Sequence, residues 1–315
     1  MEPIERRLGL IDYIANDVGD KSLPRVHAYS DMLLRLSGTL TIGTAAATAL
    51  KGYTPLSLLK KIRLVVNGED GIKSYDGKLD FIQNGLDAGV DGEKVAPGLT
   101  VAAHPFSGTL KVHFELPAYP EYWKQITRLN SALLTDLTLQ ILFGAGSDLV
   151  TPDVTTTLVI SACKVEIFGL EYPDVEAQRV YSIFKETTKR LSVIAANDEL
   201  AIPITTKNQI LSILLLSVNN SLDSDLLVTK VSAVVDGTSF KKVKDWKAMK
   251  EDTKQFYRIT PPTGVACLIF DNEMNMANAL RLAGTGSFEL VFNVIAPTGV
   301  AYIDILIREV VAFAG

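Results

Sequence analysis

Short runs in which apolar and polar residues alternate, many of them rich in β-branched side chains, make up most of the chain. The clearest runs are Met32–Ile42, Lys61–Val66, Thr109–Leu116, Leu137–Phe143, Thr156–Phe168, Gln209–Val218, Val228–Val235, Phe288–Val294 and Ala301–Phe313. Turn dipeptides lie between them, at Asn67-Gly68, Asp76-Gly77 and Asp236-Gly237. Many short strands separated by turns predict an all-β sandwich or barrel, not alternating strands and helices. Short helical insertions are expected at Glu121–Leu134 and Met274–Leu282.

The first 24 residues are expected to form a separate N-terminal amphipathic arm. Four apolar residues share one face when the segment from Met1 to Val18 is drawn as an α-helix: Ile4, Leu8, Ile11 and Val18. An isolated helix of this length is marginal in water, so it needs a surface on which to pack. Arg6 and Arg7 would suit anionic lipid headgroups, each with an attraction of ~1 kcal/mol.

The two halves of the chain carry the same succession of motifs, which indicates an internal duplication. The segment LLKKIRLVVNGEDGIKS (Leu58–Ser74) corresponds to LLVTKVSAVVDGTSFKKV (Leu226–Val243). Each segment follows a strongly apolar strand and precedes matching strands, the last of which is long. The join is placed near Glu171–Ala177, where Pro173 and charged residues interrupt the strand pattern. The chain therefore divides into the arm (1–24) and two domains, 25–172 and 173–315.

Each half has the length and strand content of one jelly roll, and the prediction is two consecutive eight-stranded jelly-roll β-sandwiches. Three segments are distinctive: SGTLTIG (Ser37–Gly43), the turn within Leu58–Ser74, and ANDELAIPITTKNQILSILLLSV (Ala196–Val218). In these segments and in their duplicated order, the sequence resembles the double jelly-roll major capsid proteins. That family belongs to tailless icosahedral viruses and bacteriophages, many of which contain an internal membrane.

The resemblance implies a structural protein without enzymatic activity, namely a major capsid protein of the virion. It implies homotrimeric capsomers of pseudo-hexagonal outline that tile an icosahedral shell. The implied partners are further copies of the chain in the trimer and in neighbouring capsomers, minor capsid proteins and vertex proteins. The N-terminal arm is placed at the capsid interior, with lipid of an internal membrane as a secondary partner. Synthesis is expected in the host cytoplasm.

The composition supports assembly and argues against two other roles. The mean hydropathy of +0.21 is high, yet the longest apolar run, Ile210–Val218, is about half of the ~20 residues that a membrane-spanning helix needs. The surplus apolar surface is therefore expected in subunit contacts. Glu2, Glu5 and Arg6 interrupt any signal peptide. A net charge of −5 gives no electrostatic footprint for nucleic acid.

No catalytic, cofactor-binding or metal-binding residues are expected. An enzyme built from two metal-binding cupin barrels would need several histidines in each half, but His27, His104 and His113 all lie in the first half. The cysteines Cys163 and Cys267 have no zinc-site spacing. The sequence has neither a G-x-S-x-G elbow nor an H-E-x-x-H motif. The acidic segment Asn67–Gly71 is interpreted as a hairpin turn, and not as a calcium loop.

One alternative function stays open, a non-viral β-sandwich module that binds carbohydrate or protein. Its candidate site is the segment LPAYPEYWKQITRL, which concentrates Tyr119, Tyr122 and Trp123. Exposed aromatic rings bury much area at a low entropic cost and suit either ligand. The favoured interpretation is a short helix packed over one end of the sandwich or at a subunit contact.

Overall fold

The structure is a computed structural model that describes residues 3–68, 71–89, 93–173, 182–205, 208–271 and 273–312. The chain divides into two compact units. The first contains Met1–Pro117 and Glu121–Ile183, and the second contains Ala118–Pro120 and Phe184–Ala314. Three predicted features fall wholly or partly outside the described residues: the join at 171–177, the acidic residues 69 and 70 of the turn at 67–71, and the strand end at 313. The domain limits at 172 and 173 stay a prediction.

The first unit is a jelly roll. Its strands are β1 (Ile4–Asp12), β2 (Val18–Ser22), β3 (Ala28–Gly43), β4 (Ala49–Leu50), β5 (Leu59–Val66), β6 (Gly71–Tyr75), β7 (Lys94–Val95), β8 (Ala103–His113), β9 (Leu129–Asn130), β10 (Leu137–Phe143), β11 (Val150–Thr151) and β12 (Thr157–Tyr172). Its helices are α1 (Gly77–Ala88) and α2 (Glu121–Thr127). One sheet has the order β1-β12-β3-β8-β7, and the strands β2-β10-β5-β6 are neighbours in that order.

The second unit repeats this plan. Its strands are β13 (Ser182–Ser192), β14 (Asn197–Pro203), β15 (Gln209–Asn219), β16 (Leu222–Asp223), β17 (Val228–Val235), β18 (Ser239–Asp245), β19 (Val265–Ile269), β20 (Leu280–Arg281), β21 (Phe288–Val294) and β22 (Tyr302–Ala312). Its helix is α3 (Trp246–Tyr257). Strands β15, β22 and β13 are neighbours, with β19 on the other side of β15, and the second sheet has the order β14-β21-β17-β18. Buried residues of both sheets form one apolar core, including Ile213, Leu215, Phe292 and Ile305.

The duplication extends to the pairing of individual residues. Leu137 of β10 lies opposite Val66 of β5, and in the second unit Phe288 of β21 lies opposite Val235 of β17. The turns that follow these valines also correspond. Asn67-Gly68 and Asp236-Gly237 have positive φ values of 53° and 71°, and 52° and 69°. Both are the left-handed turns that an Asn-Gly or Asp-Gly pair favours. The predicted double jelly roll and the predicted equivalence of these two turns are confirmed.

The predicted amphipathic helical arm is wrong, because residues 4–22 form β1 and β2. Strand β1 pairs with β12, and β2 pairs with β10, so both strands belong to the first jelly roll. The register of β1 shifts between Arg7 and Gly9. Leu8 is the unpaired residue of this irregularity, and both Leu8 and Ile11 are buried. A bulge adds one residue to the strand, so the alternation changes phase and apolar positions at spacings of four and three imitate a helix.

Helices α1 and α3 occupy equivalent places in the two units, and neither was expected from the sequence. Each has 12 residues, follows an aspartate, and ends at a residue with positive φ. Asp76 accepts a hydrogen bond from the Lys78 amide at 2.8 Å, so the predicted turn at 76–77 is a helix N-cap. Of the predicted helices, α2 ends at residue 127, and the segment 274–282 contains one short helical turn at Met276–Asn278.

Candidate assembly surfaces

The outward side of the first unit's sheet β1-β12-β3-β8-β7 is a charged surface. Val165 and Ile167 of β12 point into the core and are fully buried, so the alternating residues between them point outward. We call this surface the β12 face. Its outward residues on β1, β3, β8 and β12 are Glu5, Arg7, Leu33, Arg35, Thr109, Lys111, Lys164, Glu166 and Phe168.

Ion pairs and one aromatic ring hold the side chains of the β12 face in place. The Arg35 guanidinium lies 4.3 Å from the centre of the Phe168 ring. The Glu166 carboxylate accepts hydrogen bonds from Arg7 at 3.1 Å and from Lys164 at 3.3 Å. Exposed pairs of this kind each contribute ~1 kcal/mol or less to stability. Their main consequence is that this face of the sheet is well hydrated where it is exposed.

A buried carboxylate lies at one end of the β12 face. Asp31 of β3 is paired with His113 Nδ1 at 2.6 Å and with Lys111 Nζ at 3.1 Å. Burial acts to raise the pKa of Asp31, but the hydrogen bond and charge of His113, with those of Lys111, hold it below its ordinary value. His113 is thus the partner of a structural carboxylate.

The equivalent surface of the second unit has the opposite character. Arg35 pairs with Glu166 and with Thr109, whereas Leu214 pairs with Leu306 and with Cys267. Leu214 and Leu306 thus lie on the two strands of the second unit that correspond to β3 and β12, on the side that faces away from the core containing Ile213 and Ile305. Both leucines have no exposed surface. Arg308 lies on the same side of β22 as Leu306, is buried, and donates to Glu186 at 3.1 Å.

The equivalent helices differ in the same way. Each is attached to its own unit on one side: Asn84 of α1 donates to the Lys111 carbonyl at 2.7 Å, and Thr253 of α3 accepts from the Cys267 amide at 2.8 Å. On a second side, α1 has three buried apolar residues, Leu79, Ile82 and Leu86. The same positions of α3, which are Ala248, Glu251 and Gln255, are exposed, and so are the neighbouring Lys247 and Lys254. We call this surface the α3 face.

Exposed apolar side chains gather in the loops at one end of the second unit. They are Ile194, Leu222, Leu226, Ile295 and Val300, with Ile194 92% exposed. Backbone hydrogen bonds join these loops, from Val193 to Ala301 and from Ser221 to Val300, both at 3.0 Å. Clustered apolar residues on a surface are typical of an interaction site, so this end is a further candidate assembly surface.

The aromatic cluster expected at 119–123 is divided in the structure. Tyr119 donates to Asp271 at 2.6 Å, and burial followed by this hydrogen bond raises the pKa of its hydroxyl. Tyr122 is 65% exposed and packs edge-on against Trp123 of α2, with ring centres 5.1 Å apart. One ring of the three is therefore a structural hydrogen-bond donor, which leaves a pair at the surface.

The histidines and cysteines have ordinary surroundings. His104 Nε2 lies 2.8 Å from the Thr100 carbonyl, and burial raises the pKa of the Cys163 thiol to about 12. Within the described ranges, no three His, Cys, Asp or Glu side chains are placed to hold a metal ion. None of the helices in the described part of the chain is long and apolar enough to cross a membrane.

Known structures match the chain over almost its full length, although its sequence is divergent. No protein-family model matches it, and no curated protein matches it at a significant level. It is similar to the STIV MCP, with a TM-score of 0.79 and 14% identity over 99% of this chain and 97% of that one. The major capsid protein P2 from bacteriophage PM2 matches with a TM-score of 0.64 and 13% identity over 99% of both chains. The Faustovirus major capsid protein matches with a TM-score of 0.60 and 10% identity, over 99% of this chain and 90% of that one. The chain therefore has the double jelly-roll fold of these viral capsid proteins, as its duplicated motifs predict.

Proposed function

We propose that the chain is a major capsid protein, a structural subunit without enzymatic activity. The observation that carries this proposal is the repetition of one jelly roll within a single chain, joined to the full-length likeness to the STIV MCP and to P2. Two similar jelly rolls per chain give six similar wedges in a ring of three chains. Such a homotrimer has a pseudo-hexagonal outline and can tile a surface.

The proposed location is the icosahedral shell of a virion, and the proposed partners are copies of the same chain within and between capsomers. Minor capsid and vertex proteins complete the proposed set. The charged β12 face and the apolar loops around Ile194 are the surfaces available for these contacts. Lipid contact through an N-terminal helix is no longer proposed, since that segment consists of two strands.

Light scattering coupled to size-exclusion chromatography tests the trimer. We expect a mass about three times that of the 34.2 kDa chain, and electron microscopy of concentrated samples should show hexagonal particles or closed shells. A monomer that persists at tens of micromolar and forms no particles would contradict the proposed function.

A further inference from the structure

A groove lies on the outward side of the sheet β14-β21-β17-β18 in the second unit. Its volume of about 480 Å³ falls within the range of ~300–1,000 Å³ that is usual for small-molecule sites. Val231 and Ala233 of β17 point into the core, so Ser232 between them points outward and forms the floor of the groove. Its polar and aromatic walls are Asp198, Glu199, Lys230, Phe240, Glu289 and Asn293. We call this site the β17 groove.

The hydroxyl of Ser232 is a buried polar group that lacks a protein partner. The residue is only 7% exposed, and its side chain makes no hydrogen bond with the part of the chain that the structure describes. A buried hydroxyl is costly unless water or a ligand bonds to it. Because Ser232 lies on the floor of the β17 groove, a molecule bound in the groove meets this hydroxyl.

The walls of the β17 groove carry an excess of negative charge. Three carboxylates, those of Asp198, Glu199 and Glu289, stand against the single ammonium group of Lys230. None of these side chains has an ion pair with another described residue. The register of β14 shifts between residues 197 and 200, and such a bulge allows two successive side chains to line one face of a sheet. The excess of two negative charges favours a cationic ligand.

The carboxylates lie at opposite ends of an apolar strip. Glu289 pairs with Pro203, which lies four residues after Glu199 on β14, so the two ends are ~13 Å apart along the sheet. Ala201 and Val291 face each other between these ends and line the groove. A ligand that uses both ends therefore needs separated cationic groups joined by an apolar chain.

An aromatic ring strengthens one end of the β17 groove. Phe240, which is 62% exposed, lies opposite Val234, and the other neighbour of Val234 is Glu289. The face of an aromatic ring attracts a cation, as the carboxylate beside it does. Lys230 lies opposite the exposed Asp245 of β18, and this carboxylate offsets its repulsion of a cationic ligand.

We propose that the β17 groove binds a linear aliphatic polyamine such as spermidine. One terminal ammonium group pairs with Asp198 and Glu199, and the other pairs with Glu289 beside the ring of Phe240. The methylene groups lie on the apolar strip, and the central ammonium group donates to the Ser232 hydroxyl. A neutral sugar leaves the negative charge uncompensated, and a divalent metal ion leaves the strip and the ring unused. This binding activity is separate from the proposed capsid role.

Calorimetric titration of the full chain at low ionic strength tests the proposal with spermidine, putrescine and magnesium chloride as ligands. We expect saturable binding of one spermidine per chain. Putrescine should bind about tenfold more weakly, because the shorter diamine loses the charged contact at one end. Absence of spermidine binding overturns the proposal. Magnesium that binds as tightly as spermidine also overturns it, because the attraction is then one of charge alone.

Three substitutions locate the ligand in the groove. We expect Ser232→Ala and Glu289→Gln each to weaken spermidine binding about tenfold, and Phe240→Leu to weaken it several-fold. Ser232→Ala should leave the melting temperature unchanged or higher, since the hydroxyl has no partner among the described residues. Glu251→Gln, which removes an exposed carboxylate of α3 outside the groove, is the matched control and should bind as the wild type does. Folded Ser232→Ala and Glu289→Gln variants with wild-type affinity overturn the assignment, whereas the capsomer is tested separately by its mass.

Discussion

The two jelly rolls have the same arrangement of strands, yet the outward surfaces of their sheets differ in how far their charged side chains are exposed to water. The second unit buries Arg308 and Glu186, which form an ion pair at 3.1 Å. On the corresponding side of its own sheet, the first unit has the Arg35 guanidinium 4.3 Å from the centre of the Phe168 ring, among ion pairs that reach solvent. The inward residues of both units are apolar, for example Val165 and Ile167 in the first and Ile305 and Ile307 in the second. The two units thus share an apolar interior and differ in how far their outward sheet surfaces are exposed.

Of all the changes considered, removal of the first two strands should destabilise the protein most, and it should affect the first unit alone. Deletion of residues 1–22 takes away β1 and β2 and leaves edges on both sheets of the first unit. We expect the first unit to unfold or aggregate, because the partners of β12 and β10 are lost and their apolar contacts are exposed. Limited proteolysis should cleave within 28–172 and spare 184–312. A truncated protein that folds and assembles normally would contradict the role of these strands.

The N-terminal segment illustrates what a sequence pattern can conceal. Ile4, Leu8 and Ile11 have helical spacing only because β1 contains an irregularity after Arg7. The glycines of the segment give the missing signal. A Cβ atom at Gly19 would come within 2.4 Å of Ile11 Cγ2, so β2 requires glycine where it approaches β1. Two glycines in a short amphipathic segment therefore favour close-packed strands over a helix.

Loss of the buried ion pair of the second unit should cause the next largest loss of stability. Arg308→Met leaves the Glu186 carboxylate buried without its main cationic partner, and we expect a loss of ~3 kcal/mol in the free energy of unfolding. Arg7→Met removes a partner of Glu166 on the equivalent, solvated surface and should cost less than ~1 kcal/mol. Urea denaturation of both variants measures the difference. Equal losses would show that the two surfaces are not distinguished by burial.

A substitution in one of the two equivalent turns should cause an intermediate loss of stability. Asp236 Oδ1 accepts hydrogen bonds from the amides of Gly286 and Ser287, at 2.7 and 2.9 Å. Asn67 Oδ1 accepts from the Thr135 amide at 2.7 Å. Asp236→Ala should therefore cost ~2 kcal/mol, since it removes two hydrogen bonds that link the turn to the neighbouring loop and places alanine at a positive φ.

Asp236→Asn is the matched control for the turn, because asparagine already fills this role in the first unit. We expect it to recover at least half of the loss when thermal unfolding is followed by calorimetry. If alanine and asparagine destabilise the protein equally, the side-chain oxygen is not what links the turn to the neighbouring loop.

The sequence predicted the strands and the two turns well, and the helices and outward surfaces poorly. The strands and the two turns were readable because alternation and Asn-Gly or Asp-Gly pairs are local signals. Helices α1 and α3 were missed because Asp76-Gly77 also fits a turn, and because α3 has mostly polar residues. The assembly surfaces could not be read from either pattern. Whether Arg35 or Leu214 is exposed depends on what covers the sheet, and alternation within a strand does not encode that.

The smallest expected effect is a loss of stability at acidic pH that comes from Asp31 of the first unit. Its pKa lies below the ordinary value of 3.8 in the folded protein, so folding is favoured by the ionised form. The stabilisation is complete above the unfolded pKa and is lost as the pH falls through the lower, folded pKa. Asp31→Asn removes the charge that faces His113 and Lys111. The difference in unfolding free energy between wild type and variant should be constant between pH 5 and pH 6, and it should shrink as the pH falls below about 4. Urea melts at several pH values measure it, and a difference that grows on acidification would mean that Asp31 is stabilised in its protonated form.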